Sequence, residues 1–236
     1  MQRFGLIGHP LAGSGSPALF ERAYGGRLPY DLIEGEDFEA SWARFLKDYQ
    51  AINITAPFKE LAFERVIPAD ETVRRIGAVN IAVKTEKGII GYNSDCLGVR
   101  KLLEDKGFGK DAVAVVAGFG GAGKAAYAAA VSLGMDAVVC NRTAKPLGYG
   151  GFTRPLEELP ILAAVADILI YTLPVATEGV SCPAVLEANY RSPGMQYAAS
   201  SLYIPGTDWL LEQARTGYEL MTGEAPLPIF CFYGKK

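Results

Sequence analysis

The sequence is poor in the residues that build metal centres and disulfide frameworks. It holds four cysteines and one histidine in 236 residues. Cys96, Cys140, Cys182 and Cys231 lie far apart, with no C-x-x-C pair. That argues against a zinc site and gives a disulfide scaffold no support. Reduced thiols in a cytoplasmic protein fit this usage. Long apolar runs are also missing. The segment MQRFGLIG at the start is too short for a signal core or a membrane span, and reads as a first strand. There is no basic excess: 23 Lys and Arg stand against 26 Asp and Glu, for a net charge of −3 and a pI near 5.4. Nothing here has the electrostatic footprint of a nucleic-acid or polybasic membrane surface. Repeats and low-complexity tracts are absent as well.

What remains is an ordinary globular composition, 50% apolar and 21% charged. The length suffices for one large domain or two small α/β domains with a sizeable core. Strands are expected at 4–7, 30–33, 51–55, 111–117, 137–140 and 168–172. A hairpin is expected over 78–92, turning at Glu86-Lys87. Helices are expected from Ser16 to about Tyr24, over 38–49, from Pro57, from Asp95 to about Lys106, from the glycine loop to Leu133, and over 207–215. Ser16 reads as an N-cap with Pro17 at the first helical position. Alternating strands and helices imply an α/β fold with a mainly parallel sheet covered on both faces. The pattern restarts after the Gly-rich break at 107–110, with a boundary near Asp95–Gly98. We therefore expect two domains with a cleft between them. The expected units are residues 1–95 plus 219–236, and residues 96–218.

The stretch VVAGFGGAGKAAYAAA carries two patterns. As Gly118-x-x-x-x-Gly123-Lys124 it is nearly a P-loop. A P-loop needs Ser or Thr after its Lys to bind Mg²⁺, and here that residue is Ala125. As Gly118-x-Gly120-x-x-Gly123, following an apolar strand and opening a helix, it fits a dinucleotide loop. Gly118, Gly120, Gly121, Ala122 and Gly123 then form the phosphate cradle, with the helix N-terminus facing the anion. NAD-binding folds end the next strand with Asp or Glu. This chain has Asn141-Arg142-Thr143 there, with Arg142 24 residues past Gly118. An Arg beside hydroxyl and amide groups suits a 2′-phosphate, with Lys145 adding charge. The expected cofactor is NADP(H).

Three polar clusters in the first half fall at expected strand ends, where open α/β sheets place their sites. GHPLAGSGSP offers Ser14 and Ser16 beside a helix N-terminus. INITAPFKE offers Asn53, Thr55 and Lys59. GAVNIAV and GYNSDCLG offer Asn80 and Asp95. Each alone also has a plain structural explanation, such as helix capping or a solvated lysine.

In this order, along most of the chain, the clusters resemble the shikimate dehydrogenase family: S-x-S-P, N-I-T-x-P-F-K, G-A-V-N, Y-N-S-D-x-x-G, the glycine loop and N-R-T. The resemblance implies that 1–95 plus 219–236 are an α/β substrate-binding and catalytic domain, that 96–218 are a Rossmann-type NADP-binding domain, and that hydride passes between NADPH and 3-dehydroshikimate. It further implies that Ser14 and Ser16 bind the substrate carboxylate. Thr55, Asn80, Lys59 and Asp95 would hold ring hydroxyls, with Lys59 and Asp95 as the catalytic pair. The chemistry agrees. Ketone reduction needs a proton on the developing alkoxide, and a Lys ammonium can stabilise and protonate it while a carboxylate orients the Lys. Free in water, such a side chain carries its proton at neutral pH.

The sequence departs from the family pattern in four places. Gly13 stands where the family has His. Tyr171-Thr172-Leu173-Pro174 stands for N-A-T-P beside the nicotinamide. The pattern D-x-x-Y-x-P is read at Ser200–Pro205, keeping Tyr203 as a substrate contact. The pattern G-x-x-M-L-x-x-Q is read from Gly223, which puts Phe230 at the substrate Gln, with the closing helix missing or rebuilt. The departures leave room for a quinate or other cyclic polyol-acid dehydrogenase, or a catalytically weak NADP-binding regulatory homologue. The partners expected are the small-molecule substrate, no nucleic acid and no membrane, in a cytoplasmic monomer or homodimer.

Overall fold

Phe4–Gly8 is buried along its whole length, as a strand must be when both faces of its sheet are covered. A computed structural model describes residues 2–228. The chain divides into two compact units, Met1–Ser94 with Ala214–Lys236, and Asp95–Gln213. Asp95 and residues 214–218 thus fall on the other side of the expected boundaries.

The first unit contains β1 (Phe4–Gly8), α1 (Ser16–Tyr24), β2 (Tyr30–Glu34), α2 (Phe38–Asp48), β3 (Ala51–Ile54), α3 (Lys59–Phe63), β4 (Ile67–Pro68), α4 (Glu71–Ile76), β5 (Ile81–Thr85) and β6 (Gly88–Tyr92). Its sheet has the order β2-β1-β3-β5-β6-β4. The pairs β1–β2 and β1–β3 are parallel, but β5 runs antiparallel to both β3 and β6. This sheet is therefore mixed, because the expected hairpin at 85–88 reverses the chain inside it. Helix α2 is capped by Asp37, whose carboxylate accepts the Glu39 N–H, and it buries Phe38, Trp42 and Phe45, spaced four and three residues apart on one face. They join Ile7, Ile33, Ile52, Ile54 and Phe58 in one core. Each such side chain contributes about 1.5–3 kcal/mol on burial.

Expected helix starts shift by one or two residues, including those expected at Asp95 and Thr207, which fall at Ser94 and Gly206. The N-cap of α1 is Gly15, and Ser16 is already helical, with Pro17 in the first turn. Helix α3 begins at Lys59 behind Phe58, not at Pro57.

The second unit contains most of α5 (Ser94–Asp105), then β7 (Val113–Ala117), α6 (Gly121–Ser132), β8 (Asp136–Asn141), β9 (Arg154–Pro155), α7 (Leu159–Ala164), β10 (Ile168–Tyr171), β11 (Ala184–Glu187), β12 (Leu202–Ile204) and the first half of α8 (Gly206–Thr222). The sheet order is β12-β11-β10-β7-β8-β9, with every pair parallel. This is the doubly wound order of dinucleotide-binding folds, whose direction of winding switches between β7 and β10. The central strands VAVVA and ILIY are nearly or wholly buried. Helix α8 runs 17 residues, well past the expected 207–215, and buries Trp209, Ala214, Tyr218 and Met221.

Candidate active site

One edge of the first sheet gathers the polar clusters. Parallel β1 and β3 end there, and antiparallel pairing brings the start of β5 and the end of β6 to the same edge. The loops leaving β1 and β3 are tied together. The Thr55 N–H donates to the Ile7 carbonyl at 3.0 Å, and the His9 N–H to the Ala56 carbonyl at 3.2 Å. Ser14 and Ser16 are half-buried, and the Ser14 Oγ accepts the Ser16 N–H at 3.4 Å. The Tyr218 hydroxyl donates to the Ser16 carbonyl at 3.3 Å, anchoring that loop to α8.

Lys59 is the first residue of α3 and half-buried. Its carbonyl accepts the Val79 N–H at 3.0 Å, which fixes it against the segment leading to Asn80. Asn80 is 5% exposed. Its Oδ1 accepts the Ser94 N–H at 2.7 Å and its Nδ2 donates to the Ser94 Oγ at 3.1 Å. An amide nitrogen carries two hydrogens, so one is left for a further acceptor. Asn80 thereby sets the start of α5, and Asp95 is the next residue, in the helix's first turn. Asn53 accepts the Tyr30 hydroxyl at 2.8 Å. Burial pushes the Tyr30 phenol well above its ordinary value, so it stays a donor.

In the second unit the glycine loop lies at the winding switch. Gly118 has φ +92°, a backbone conformation open to glycine and strained for other residues. A Cβ on Gly123 would sit 2.1 Å from the Gly118 carbonyl oxygen, so the turn closes only without one. Around Gly120 and Gly121 there is open space, and Gly120 is the extended N-cap of α6. The N–H groups of Gly121, Ala122 and Gly123 stand in the first turn, which lacks intrahelical acceptors. That leaves room for a phosphate beside unpaired donors, and the residues fit a dinucleotide. The Thr172 hydroxyl donates to the Ala117 carbonyl at 2.7 Å, joining the ends of β10 and β7.

Asn141 ends β8 and holds the loop from the other side. Its Oδ1 accepts the Phe119 N–H at 3.2 Å, and its Nδ2 donates to the Thr143 carbonyl at 2.8 Å. The Lys145 ammonium lies 3.5 Å from the Phe119 carbonyl. Arg142, Thr143 and Lys145 are exposed, and no carboxylate interrupts the sequence 141–145.

Tyr203 has another partner than substrate. Its hydroxyl donates to Glu187 Oε2 at 2.6 Å. Burial, then the Glu187 carboxylate, drive its phenol well above the ordinary range. The D-x-x-Y spacing recurs as Glu187-Ala188-Asn189-Tyr190 at the end of β11, and Tyr190 is 41% exposed. The tail pattern also recurs upstream. Gly206-x-x-Trp209-Leu210-x-x-Gln213 matches G-x-x-M-L-x-x-Q with Trp in the Met place, and all of it lies on α8. The helix expected to be missing or rebuilt is present, and Gln213 stands at the Gln position of the pattern. Phe230 lies outside the described residues.

Among the described residues no group of three or more His, Cys, Asp or Glu could hold a metal ion. No described helix is long and apolar enough to cross a membrane.

Comparison with known proteins agrees with this geometry. Residues 6–82 match the family model described as shikimate dehydrogenase substrate binding domain. The shikimate dehydrogenase (NADP(+)) of Natronomonas pharaonis is 32% identical over 257 residues, covering 95% of each chain. That of Thermus thermophilus is 30% identical over 250 residues, covering 99% of this chain and 90% of the relative. Among solved structures, Thermus thermophilus shikimate 5-dehydrogenase in complex with NADP(H) and shikimate superposes with a TM-score of 0.79 at 27% identity, covering 98% and 97% of the two chains. Mycobacterium tuberculosis shikimate dehydrogenase gives 0.82 at 28% identity, covering 96% and 95%. With relatives 30% and 32% identical that align over 99% and 95% of its length, the chain belongs to the shikimate dehydrogenase family.

Proposed function

We propose that this chain catalyses the reversible NADP-dependent reduction of 3-dehydroshikimate to shikimate, a step of chorismate and aromatic amino-acid biosynthesis. The observation that carries the reading is that each unit, taken by itself, gathers one half of the required chemistry at the ends of its strands. One edge of the first sheet collects Ser14, Ser16, Thr55, Lys59 and Asn80. The second unit offers a glycine cradle at its winding switch with Asn141-Arg142-Thr143 at the end of the next strand.

When bound, NADP(H) supplies or accepts the hydride. Lys59 delivers the proton to the developing alkoxide oxygen and takes it back in the reverse direction. Asp95 orients the Lys59 ammonium and accepts from the neighbouring ring hydroxyl. Ser14 and Ser16 donate to the substrate carboxylate. Thr55, the spare Asn80 N–H and the Gln213 amide meet the ring hydroxyls. Tyr190 takes the substrate-side place expected of Tyr203, whose hydroxyl already donates to Glu187. Gly118, Gly120, Gly121, Ala122 and Gly123 receive the pyrophosphate. Arg142, with Asn141, Thr143 and Lys145, receives the 2′-phosphate.

The enzyme works in this reading as a cytoplasmic monomer or homodimer, in keeping with the buried, reduced thiols of Cys96, Cys140 and Cys182. The test is the nicotinamide absorbance of purified protein with shikimate and with quinate, each with NADP and with NAD. Rapid NADP reduction by shikimate is expected. Faster turnover of quinate, or no turnover with NADP bound, overturns the assignment.

A further inference from the structure

Glu187 is fully buried at the end of β11 and takes no part in the chemistry above. Its Oε1 accepts the Gly194 N–H at 2.6 Å. Its Oε2 accepts the Met195 N–H at 3.2 Å and the Tyr203 O–H at 2.6 Å. All three partners are neutral donors. A carboxylate fed by three donors in a dry site is held firmly, and removing one partner exposes the rest to the cost of an unmet buried group. The side chain thus ties three pieces of backbone together: the end of β11, the turn at 194–195, and β12.

The turn it holds reaches further. A Cβ on Gly194 would lie 3.0 to 3.1 Å from the Cβ, Cα and N of Ala176, so Gly194 packs directly on the segment that follows β10. That segment is closed by Tyr171, the register partner of Glu187 across the sheet. The Tyr171 hydroxyl donates to the Val175 carbonyl at 2.6 Å and lies 2.6 Å from the Thr177 hydroxyl. At its other end the same segment abuts the glycine loop. A Cβ on Gly118 would meet the Thr172 Oγ1 at 2.7 Å and the Leu173 Cδ2 at 2.9 Å. Residues 172–177 therefore border the crevice at the β7–β10 switch, and Glu187 braces them from behind.

We propose that Glu187 is a positioning residue for hydride transfer: through Gly194 and Ala176 it sets the 172–177 segment against the reacting end of the bound dinucleotide. The proposal rests on the functional reading above, but the brace itself can be tested without it. Hydrogen–deuterium exchange of peptides covering 172–177 and 190–196 is compared in the wild type, Glu187→Gln and Gly194→Ala, beside steady-state kinetics with shikimate and NADP. In Glu187→Gln an NH₂ group replaces one acceptor and, in either orientation of the amide, faces a backbone N–H, that of Gly194 or that of Met195. Exchange should rise in both peptides, and kcat should fall about ten- to a hundredfold, the scale of a small misplacement of reacting groups. The KM for NADP should move much less, because the 2′-phosphate residues lie at the end of β8 and in the loop that follows it. Gly194→Ala keeps the carboxylate and disturbs only the contact with Ala176, so it should show the same pattern. It decides the matter where Glu187→Gln does not fold.

A purely structural role would lower the Tm and leave the kcat of folded enzyme at the wild-type value, and that result overturns the proposal. Unchanged exchange at 172–177 in a folded variant overturns it too. Failure of the wild type to oxidise shikimate refutes the functional reading alone, and the exchange data then still decide the brace.

Discussion

Gly98 of α5 lies directly against the backbone of Gln213 in α8: a Cβ on Gly98 would fall 2.8 Å from the Gln213 nitrogen and 2.9 Å from its Cα. Gly98 is one helical turn beyond Asp95, so the crossing fixes the helix that carries one proposed catalytic group against the residue proposed to bind substrate. Alanine in a helix interior normally gains about 1 kcal/mol over glycine. Forcing a methyl into packed backbone costs about 1–3 kcal/mol. Gly98→Ala should therefore lower the urea midpoint and raise the KM for shikimate. An increase in stability with unchanged KM would mean that the two helices part easily.

Lys59→Ala should lower kcat by about 10²–10⁴-fold, the range for loss of a general acid or base. Because its backbone carbonyl holds the Val79 N–H, and a substitution leaves that bond in place, the variant should fold and bind NADP normally. Near wild-type turnover would remove Lys59 from the mechanism.

Arg142→Ala should weaken NADPH far more than NADH. The guanidinium is exposed at the end of β8, and a charge-assisted bond to a phosphate contributes about 1.5–3 kcal/mol. A loss of about ten- to a hundredfold in NADPH affinity is expected by titration of nicotinamide fluorescence. Equal losses for both cofactors would place the 2′-phosphate elsewhere.

Cys140 gives a pH signature. Its thiol is fully buried, and burial, with Glu158 adding, pushes it up from 9.0 to about 11. The folded state keeps this proton where the unfolded chain has lost it. The stabilisation is full below pH 9 and is lost as pH rises toward 11. Between about pH 8 and 10 the wild type should lose about 1 kcal/mol more unfolding free energy than Cys140→Ala. Parallel curves for the two proteins would count against it.

The parts legible in the sequence were those with strong local chemistry. β1, β3, β7, β8, β10 and the glycine loop follow from apolar runs ending in Gly or polar clusters. The two-residue strands β4 and β9 have no periodicity to read. The sheet around β5 is mixed because pairing partners are a tertiary matter, although the hairpin itself was visible. Tyr203 and Tyr190 both sit in tyrosine-bearing segments ending in Pro, and only burial against Glu187 tells them apart. Gln213 was hidden because Trp209 fills the Met place and the Pro-rich tail drew the alignment downstream. The capping of α1 by Gly15 instead of Ser16 is a shift of one residue, which local propensity does not resolve.

Both sheets end on a two-residue strand whose last residue is proline: Pro68 in β4 and Pro155 in β9. Proline brings no N–H to an edge, and a strand that short offers an incoming chain almost no template. The opposite border of the second sheet, β12, is three residues long. A largely parallel, strongly apolar sheet is exposed to edge-to-edge self-association while it folds. Here three of the four borders are cut short in a way that protects against aggregation without drawing on any residue that the chemistry needs.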